Sequence, residues 1–307
     1  MRTAFVKKLT ELMREHKDII TLTADMGFSV FENLQKEFPE RFINTGVSEQ
    51  NTVGVAAGLA LSGYKVYFYA QAPFATMRCF EQVRLDLAYA HLNVKVVGTA
   101  SGFTSNQMGV SHFALEDVGL MRMLPGMTVF TPGDPVEAAW ATEAAHETEG
   151  PAYIRLTKGG SPIIHTETPK FKIGKGVVLQ SGRDVTIFVA GSLLPMAVNI
   201  SGMLEKKGIK AGVVSMPTIK PIDKVLVLEK AQASRGIFTL EDHYITGGLG
   251  SAVAELLAEE STRVVFHRFG VPDAFTSITG SPEYLLKYNG LSAEIVSKKI
   301  LSMIKRK

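Results

Sequence analysis

Cysteine is almost absent from this sequence: Cys79 is the single one in 307 residues. An internal disulfide is therefore excluded, and the usage fits a reducing compartment. Long apolar runs are missing too. No stretch reaches the roughly 18 residues of a membrane span, and Met1–Lys8 carries a helical pattern where a signal peptide would have an apolar core. No long run of lysine and arginine occurs. The formal net charge is +3, and Lys305-Arg306-Lys307 is only a short basic tail, so nucleic-acid binding is not indicated. Neither a low-complexity tract nor an internal repeat is visible. These absences leave a soluble, cytoplasmic, globular protein as the expectation.

What is present is ordinary in amount and regular in order. Hydrophobic residues make up 46% and charged residues 21%, enough for sizeable cores, and the length suggests two domains. Residues 3–15 read as an amphipathic helix with Phe5, Val6, Leu9, Leu12 and Met13 on one face. Strands are expected at 19–23, 42–45, 64–69, 94–98, 127–131 and 152–156. Helices are expected at 74–90, 116–123 and 135–147. Lys158 to about Gly182 breaks the rhythm with Gly159, Gly160, Pro162, Pro169 and Gly174, and reads as a linker with one short strand. Strands at 185–190, 212–215, 236–240 and 263–266 then alternate with helices at 195–207, 224–231, 248–259 and 293–305. Such alternation implies an α/β fold of two domains, each a mainly parallel sheet flanked by helices. The expected division is 1–160, a linker at 161–182, and 183–307.

The chain is organised around residues 44–62. Ser48 reads as an N-cap, and the helix after it is rich in small residues: Gly54, Ala56, Ala57, Gly58 and Ala60. Each internal glycine costs about 1 kcal/mol relative to alanine, so another backbone or a ligand is expected against this helix. Glu49 stands in its first turn, where the helix dipole favours a carboxylate. The apolar surroundings suggest a buried Glu49, which then needs a partner. Asp25, Glu49, the 71–74 turn and the 101–112 loop all follow strands. In an open parallel sheet they converge on one edge, where ligands bind.

Gly46-Val47-Ser48-Glu49-Gln50-Asn51 and the Ala-Ala-Gly-Leu-Ala helix resemble the pyrimidine-binding segment of the transketolase family of thiamine diphosphate enzymes. Ala24-Asp25-Met26-Gly27, Leu240-Glu241-Asp242-His243 with Gly247-Gly248-Leu249-Gly250-Ser251, and Phe269-Gly270-Val271-Pro272-Asp273 through Phe275 resemble further family segments. The matches run from Arg2 to about Val296. The resemblance implies thiamine diphosphate chemistry, with Glu49 bonded to the cofactor's pyrimidine and held where its proton affinity is high. It places Asp25, Gln71, Phe74 and Arg78 around the cofactor, Phe74 as an aromatic wall. Gln71 departs from the family's usual aromatic, for which Tyr69 or Phe80 could compensate. His112, in Gly109-Val110-Ser111-His112, is implied as a proton carrier to the substrate; His243 is a weaker candidate. Arg2 and Lys158 stand near where substrate anions are held, although lysine lacks the arginine fork; Ser29 and Met108 are further substrate-binding candidates.

Met108 and Ala100 replace an aspartate and a histidine of sugar-transferring members, so ordinary sugar-phosphate specificity is not expected. The family's Gly-Asp-Gly and Asn-Asn segment, which holds Mg²⁺ and the diphosphate, is not found in the sequence. The resemblance therefore implies the C-terminal half of a split enzyme. Mg²⁺ ligands would lie on an N-terminal partner subunit, in an α₂β₂ assembly. The alternatives are a deoxyxylulose-phosphate-synthase-like enzyme, a 2-oxoacid dehydrogenase β-type subunit, and a non-catalytic α/β subunit.

Overall fold

The computed structural model describes residues 1–305; Arg306 and Lys307, the end of the basic tail, lie outside the described residues. Runs of β-branched and aromatic residues form β1 (Ile19–Thr23), β2 (Phe42–Asn44), β3 (Lys65–Gln71), β4 (Val94–Thr99), β5 (Thr128–Phe130) and β6 (Ala152–Arg155). These pair in parallel in the order β5-β6-β4-β3-β1-β2. Their carboxyl ends share one edge, and the loops bearing Asp25, Glu49, Phe74 and His112 all leave from it. A second sheet contains β7 (Val177–Gln180), β8 (Val185–Val189), β9 (Ala211–Ser215), β11 (Gly236–Tyr244) and β12 (Val265–Val271), ordered β12-β11-β8-β9-β7. It is parallel except where β7 meets β9.

The strand β10 (Thr218–Lys220) was not expected. It belongs to the second half of the chain, yet it pairs antiparallel with β5 on the first sheet. It is three residues long between Pro217 and Pro221, and so carries no period that could announce it. Short helices at Glu32–Glu37 and Pro282–Tyr288 also went unanticipated. The helix expected at 74–90 is a broken run: Phe74–Arg78 and Val83–Tyr89 are π-helical, with Phe80–Gln82 between them.

Strand alternation sorts the aromatics of β3. Tyr67 and Tyr69 pack with Phe5, Leu9 and Met13 of the Arg2–Glu15 helix, whereas Val66, Phe68 and Ala70 face Val53 and Ala56 of the Glu49–Leu61 helix. Tyr69 stacks on Phe5 at 6.0 Å and meets the edge of Phe31 at 4.9 Å. Phe80 packs against the opposite core. Neither ring stands in for the aromatic missing at Gln71. The core around Phe68 continues without a break into Phe188, Met216, Ile237 and Leu249 of the second half, so the two sheets share apolar packing.

The segment between β6 and β7 is strapped to the Pro135–Glu147 helix. Asp134 Oδ2 accepts from the backbone N–H groups of Ile164 and His165, and His165 Nε2 lies 2.7 Å from Glu137 Oε1. Phe171 stacks on Trp140 at 5.0 Å. Burial disfavours the imidazolium of His165, but the hydrogen bond and charge of Glu137 outweigh it and raise its pKa above the ordinary 6.5. A raised folded pKa means that the stabilisation is complete below about 6.5 and is lost as pH climbs through the raised value. Wild type should therefore exceed His165→Gln in urea stability at pH 6, and the gap should shrink toward pH 9. An equal gap at both pH values would show that the pair is neutral.

Candidate active site

Glu49 opens its helix and is only 3% exposed. Ser48 occupies the N-cap position without capping through its side chain; its hydroxyl donates instead to the Thr45 carbonyl at 2.9 Å. The partner that buried Glu49 needs is Arg78, whose Nη1–H donates to Glu49 Oε2 at 2.7 Å. Phe74 and Arg78 lie four residues apart on the π-helical turn, and the guanidinium carbon sits 4.0 Å above the Phe74 ring centroid. The His112 ring meets Phe74 edge-on at 5.0 Å. Glu49, Arg78, Phe74 and His112 thus form one contact chain, although 63 positions separate its first member from its last.

The π-turn is secured from within. Thr76 Oγ1–H donates to the Ala72 carbonyl at 2.6 Å, and the Cys79 thiol reaches the carbonyls of Phe74 and Ala75. Burial, with the Glu49 charge behind it, pushes the Cys79 thiol up to about 12, so it is not a nucleophile. His112 behaves oppositely: burial and then the Arg78 charge lower its pKa, which leaves a neutral ring at neutral pH. Ser111 Oγ lies 2.9 Å from His112 Nδ1. A neutral histidine beside an arginine can accept a proton and return it.

Beside this chain lie the buried polar ends of Arg2, Tyr69, Gln71 and Thr99, of which Gln71 Oε1 has no hydrogen-bond partner. Gln71 and Thr99 are directly paired in the β3–β4 register, and Arg2 and Thr99 lie beside the Tyr69 hydroxyl. Unpaired buried polar groups are uncommon and costly. The other sequence candidates have different surroundings. Asp25 is exposed, and its Oδ1 accepts from the Asn44 amide at 3.2 Å. Ser29 is exposed, and its N–H donates to Glu32 Oε1. Lys158 and Met108 are exposed, while Ala100 is buried. Asp25, Ser29 and Ala100 all hold left-handed backbone, with φ of 51°, 61° and 58°. Such strain gathers at functional loops.

His243 is not available for proton transfer. Its Nε2 accepts from the Gly119 N–H at 3.1 Å, and its Nδ1 lies 2.7 Å from the Tyr244 carbonyl. Both ring nitrogens are consumed by structure. The Arg155 network was not foreseen. Arg155, fully withdrawn from water, donates to Asp117 Oδ2 at 2.8 Å and to Asp242 Oδ1 at 2.5 Å. Its partners are far away in sequence, and no local pattern marks it.

Two family descriptions account for nearly all of the chain: the transketolase pyrimidine binding domain matches residues 1–162, and the transketolase C-terminal domain matches residues 174–296. The chain belongs to the transketolase family. It is 38% identical over 309 residues to a putative transketolase C-terminal section of Methanocaldococcus jannaschii, covering 100% of this chain and 96% of that protein. It is 38% identical to a 6-deoxy-6-sulfo-D-fructose transketolase subunit of Clostridium sp., covering 100% and 95%. A solved structure described as a split gene transketolase, inactive β4 tetramer, superposes with a TM-score of 0.92 at 41% identity, covering 99% of this chain and 98% of that one. The chain is thus similar to the C-terminal pieces of divided transketolases, and the family implies thiamine diphosphate as cofactor.

The ion pair yields a direct test. Arg78→Leu leaves the Glu49 carboxylate buried without a counter-charge. A fully buried pair broken in this way loses about 3–5 kcal/mol. The Arg78 side chain is 41% exposed, and a loss of about 1–2 kcal/mol is expected after screening. Adding Glu49→Gln should recover most of it in urea unfolding. Additive losses would show that the two side chains do not act as a pair.

Proposed function

We propose that this chain supplies the pyrimidine side of a thiamine diphosphate site shared with a second kind of subunit. The enzyme would transfer a ketol or related carbanion unit from a ketose-type donor to an aldehyde acceptor. The observation that carries the reading is Glu49, a carboxylate 3% exposed at a helix N-terminus and fixed by Arg78 at the ligand-binding edge of a parallel sheet. The residues fit the cofactor's ring: a buried carboxylate, the Phe74 ring beside it, and the orphaned acceptor Gln71 Oε1 at the same strand end. When bound, thiamine diphosphate would supply an acidic carbon that adds to the donor and a cationic ring that takes up the electron pair of the broken bond.

The chain's own residues do the rest. Glu49 would hold a proton between its oxygen and the pyrimidine nitrogen, and Arg78 orients the carboxylate. Phe74 and Arg78 orient the ring. His112, neutral and on a loop over Phe74, moves a proton at the substrate's carbonyl oxygen. Asp25 lies on the neighbouring loop toward the cofactor's other end. Arg2 receives the substrate's anionic end together with Lys158, and Ser29 is a further substrate contact. Met108 leaves the channel less polar than a sugar-binding aspartate would.

Mg²⁺ and the diphosphate fall to an N-terminal-type partner. Among the described residues no group of three or more His, Cys, Asp or Glu could hold a metal ion. The solved relative described as an inactive β4 tetramer supports a second kind of subunit as the completing piece. The docking surface follows from the Glu49–Leu61 helix. A Cβ at Gly54 or at Gly58 would meet nothing within 4 Å, so none of the described residues supplies the close contact that these glycines suggest. The expected assembly is α₂β₂.

The purified chain alone should show no turnover. Mixing it with a subunit that carries the Gly-Asp-Gly and Asn-Asn segment should produce Mg²⁺-dependent ketol transfer, and Glu49→Gln should reduce transfer and cofactor C2-proton exchange at least 100-fold. Full turnover by this chain alone would defeat the shared-site reading. Gly54→Ala with Gly58→Ala should stabilise the isolated chain by up to about 2 kcal/mol in total. The same pair of changes should weaken co-assembly in sedimentation; unchanged assembly would remove this helix from the interface.

A further inference from the structure

The loop that carries His112 leaves β4 of the first sheet and runs into the Asp117–Met123 helix, but the second half of the chain holds it. Phe103 and Phe113, one on each leg, pack edge-on at 5.0 Å and are buried in the core formed by Val189, Leu193, Leu240 and Phe269. Across the base, the Gly102 and Ala114 backbones exchange hydrogen bonds of 3.0 and 3.1 Å. Asp242 closes on this base. A Cβ at Gly102, where φ is +59°, would lie 2.2 Å from Asp242 Oδ2, so only glycine lets the carboxylate approach. Asp242 Oδ1 accepts from Arg155, whose Nη2 also donates to the Ala114 carbonyl at 3.1 Å. Ser192 Oγ–H donates to the other Asp242 oxygen at 2.7 Å. At the tip, Asn106 Nδ2–H donates to the Gly280 carbonyl at 2.7 Å.

We infer that the second half of the chain is a clamp for this loop, and that Asp242, Arg155 and Asn106 are positioning residues that set where His112 stands over Phe74. The physical argument is one of constraint. The His112 side of the loop, residues 107–112, is largely exposed. Its placement depends on two fixed legs and one tethered tip. An error of about 1 Å in such a group can cost a hundredfold in rate. Asp242 sits in the second half of the chain, is 2% exposed, and meets the loop at its base, against Gly102.

The inference rests on the function proposed above, and the test separates the two. Asp242→Asn keeps the shape and removes the charge; Asn106→Ala removes only the tether. Hydrogen–deuterium exchange on the whole chain reads the clamp directly. Both variants should speed exchange in 101–114, Asp242→Asn more strongly, and leave the Leu249–Glu259 helix unchanged. Unchanged exchange in 101–114 overturns the clamp. In the reconstituted pair, Asp242→Asn should lower kcat roughly tenfold with cofactor affinity unaltered, and Asn106→Ala should lower it less. In a His112→Ala background both effects should vanish, because the residue being positioned is gone. An equal loss in both backgrounds shows a general structural effect and overturns the link to His112. A wild-type pair without turnover overturns the proposed function, and the exchange result then still decides the clamp.

Discussion

A carboxylate taken out of water must be answered by a proton or a cation, and at Glu49 the answer is Arg78. Much of the candidate site depends on that requirement. The guanidinium that reaches Glu49 is carried on a π-helical turn, and Phe74 falls beneath the same guanidinium. His112 then meets the edge of Phe74 and feels the Arg78 charge. One electrostatic demand thus orders four side chains from three separate stretches of the chain.

A second buried charge does a different job. Arg155 sits between Asp117 of its own half and Asp242 of the other, and the Tyr153 hydroxyl adds a bond of 2.7 Å to Asp117. Burying three charges is unfavourable unless every hydrogen bond is made. Here most are made, and the geometry they demand fixes one half of the chain against the other more narrowly than apolar packing would. The continuous core through Phe68 and Phe188 supplies attraction, and the Arg155 bridge supplies alignment. Lys95 shows how the same cost is met without a carboxylate. Its ammonium donates to the carbonyls of Thr148 and Gly150, and burial drops its pKa to about 7.

The α/β rhythm and the shared strand edge were legible because parallel strands impose both. Residues that follow strands must converge, and Asp25, Glu49, Phe74 and His112 do. The burial of Glu49 was legible from the apolar helix behind it. The identity of its partner was not, since an arginine 29 positions away has no periodic relation to it. The facing of Tyr69 could have been read by counting: it shares parity with Tyr67 and Gln71, on the side away from Phe68. The Arg155 network leaves no sequence trace, because its acidic partners lie 38 and 87 positions distant. β10 was silent for another reason: three residues between two prolines are too short to display alternation.

That small strand has a consequence for how the protein can be made. β10 is encoded after the linker, yet it completes the edge of the sheet encoded before it, covering β5. During synthesis the first sheet emerges from the ribosome with that edge open, and it stays open until some sixty further residues have followed β6. A gene break inside the linker would leave one product with a bare strand edge and the other with a strand that has nowhere to go. The pairing therefore favours keeping the two halves on one polypeptide. Evolution could divide a transketolase ahead of this unit far more cheaply than within it.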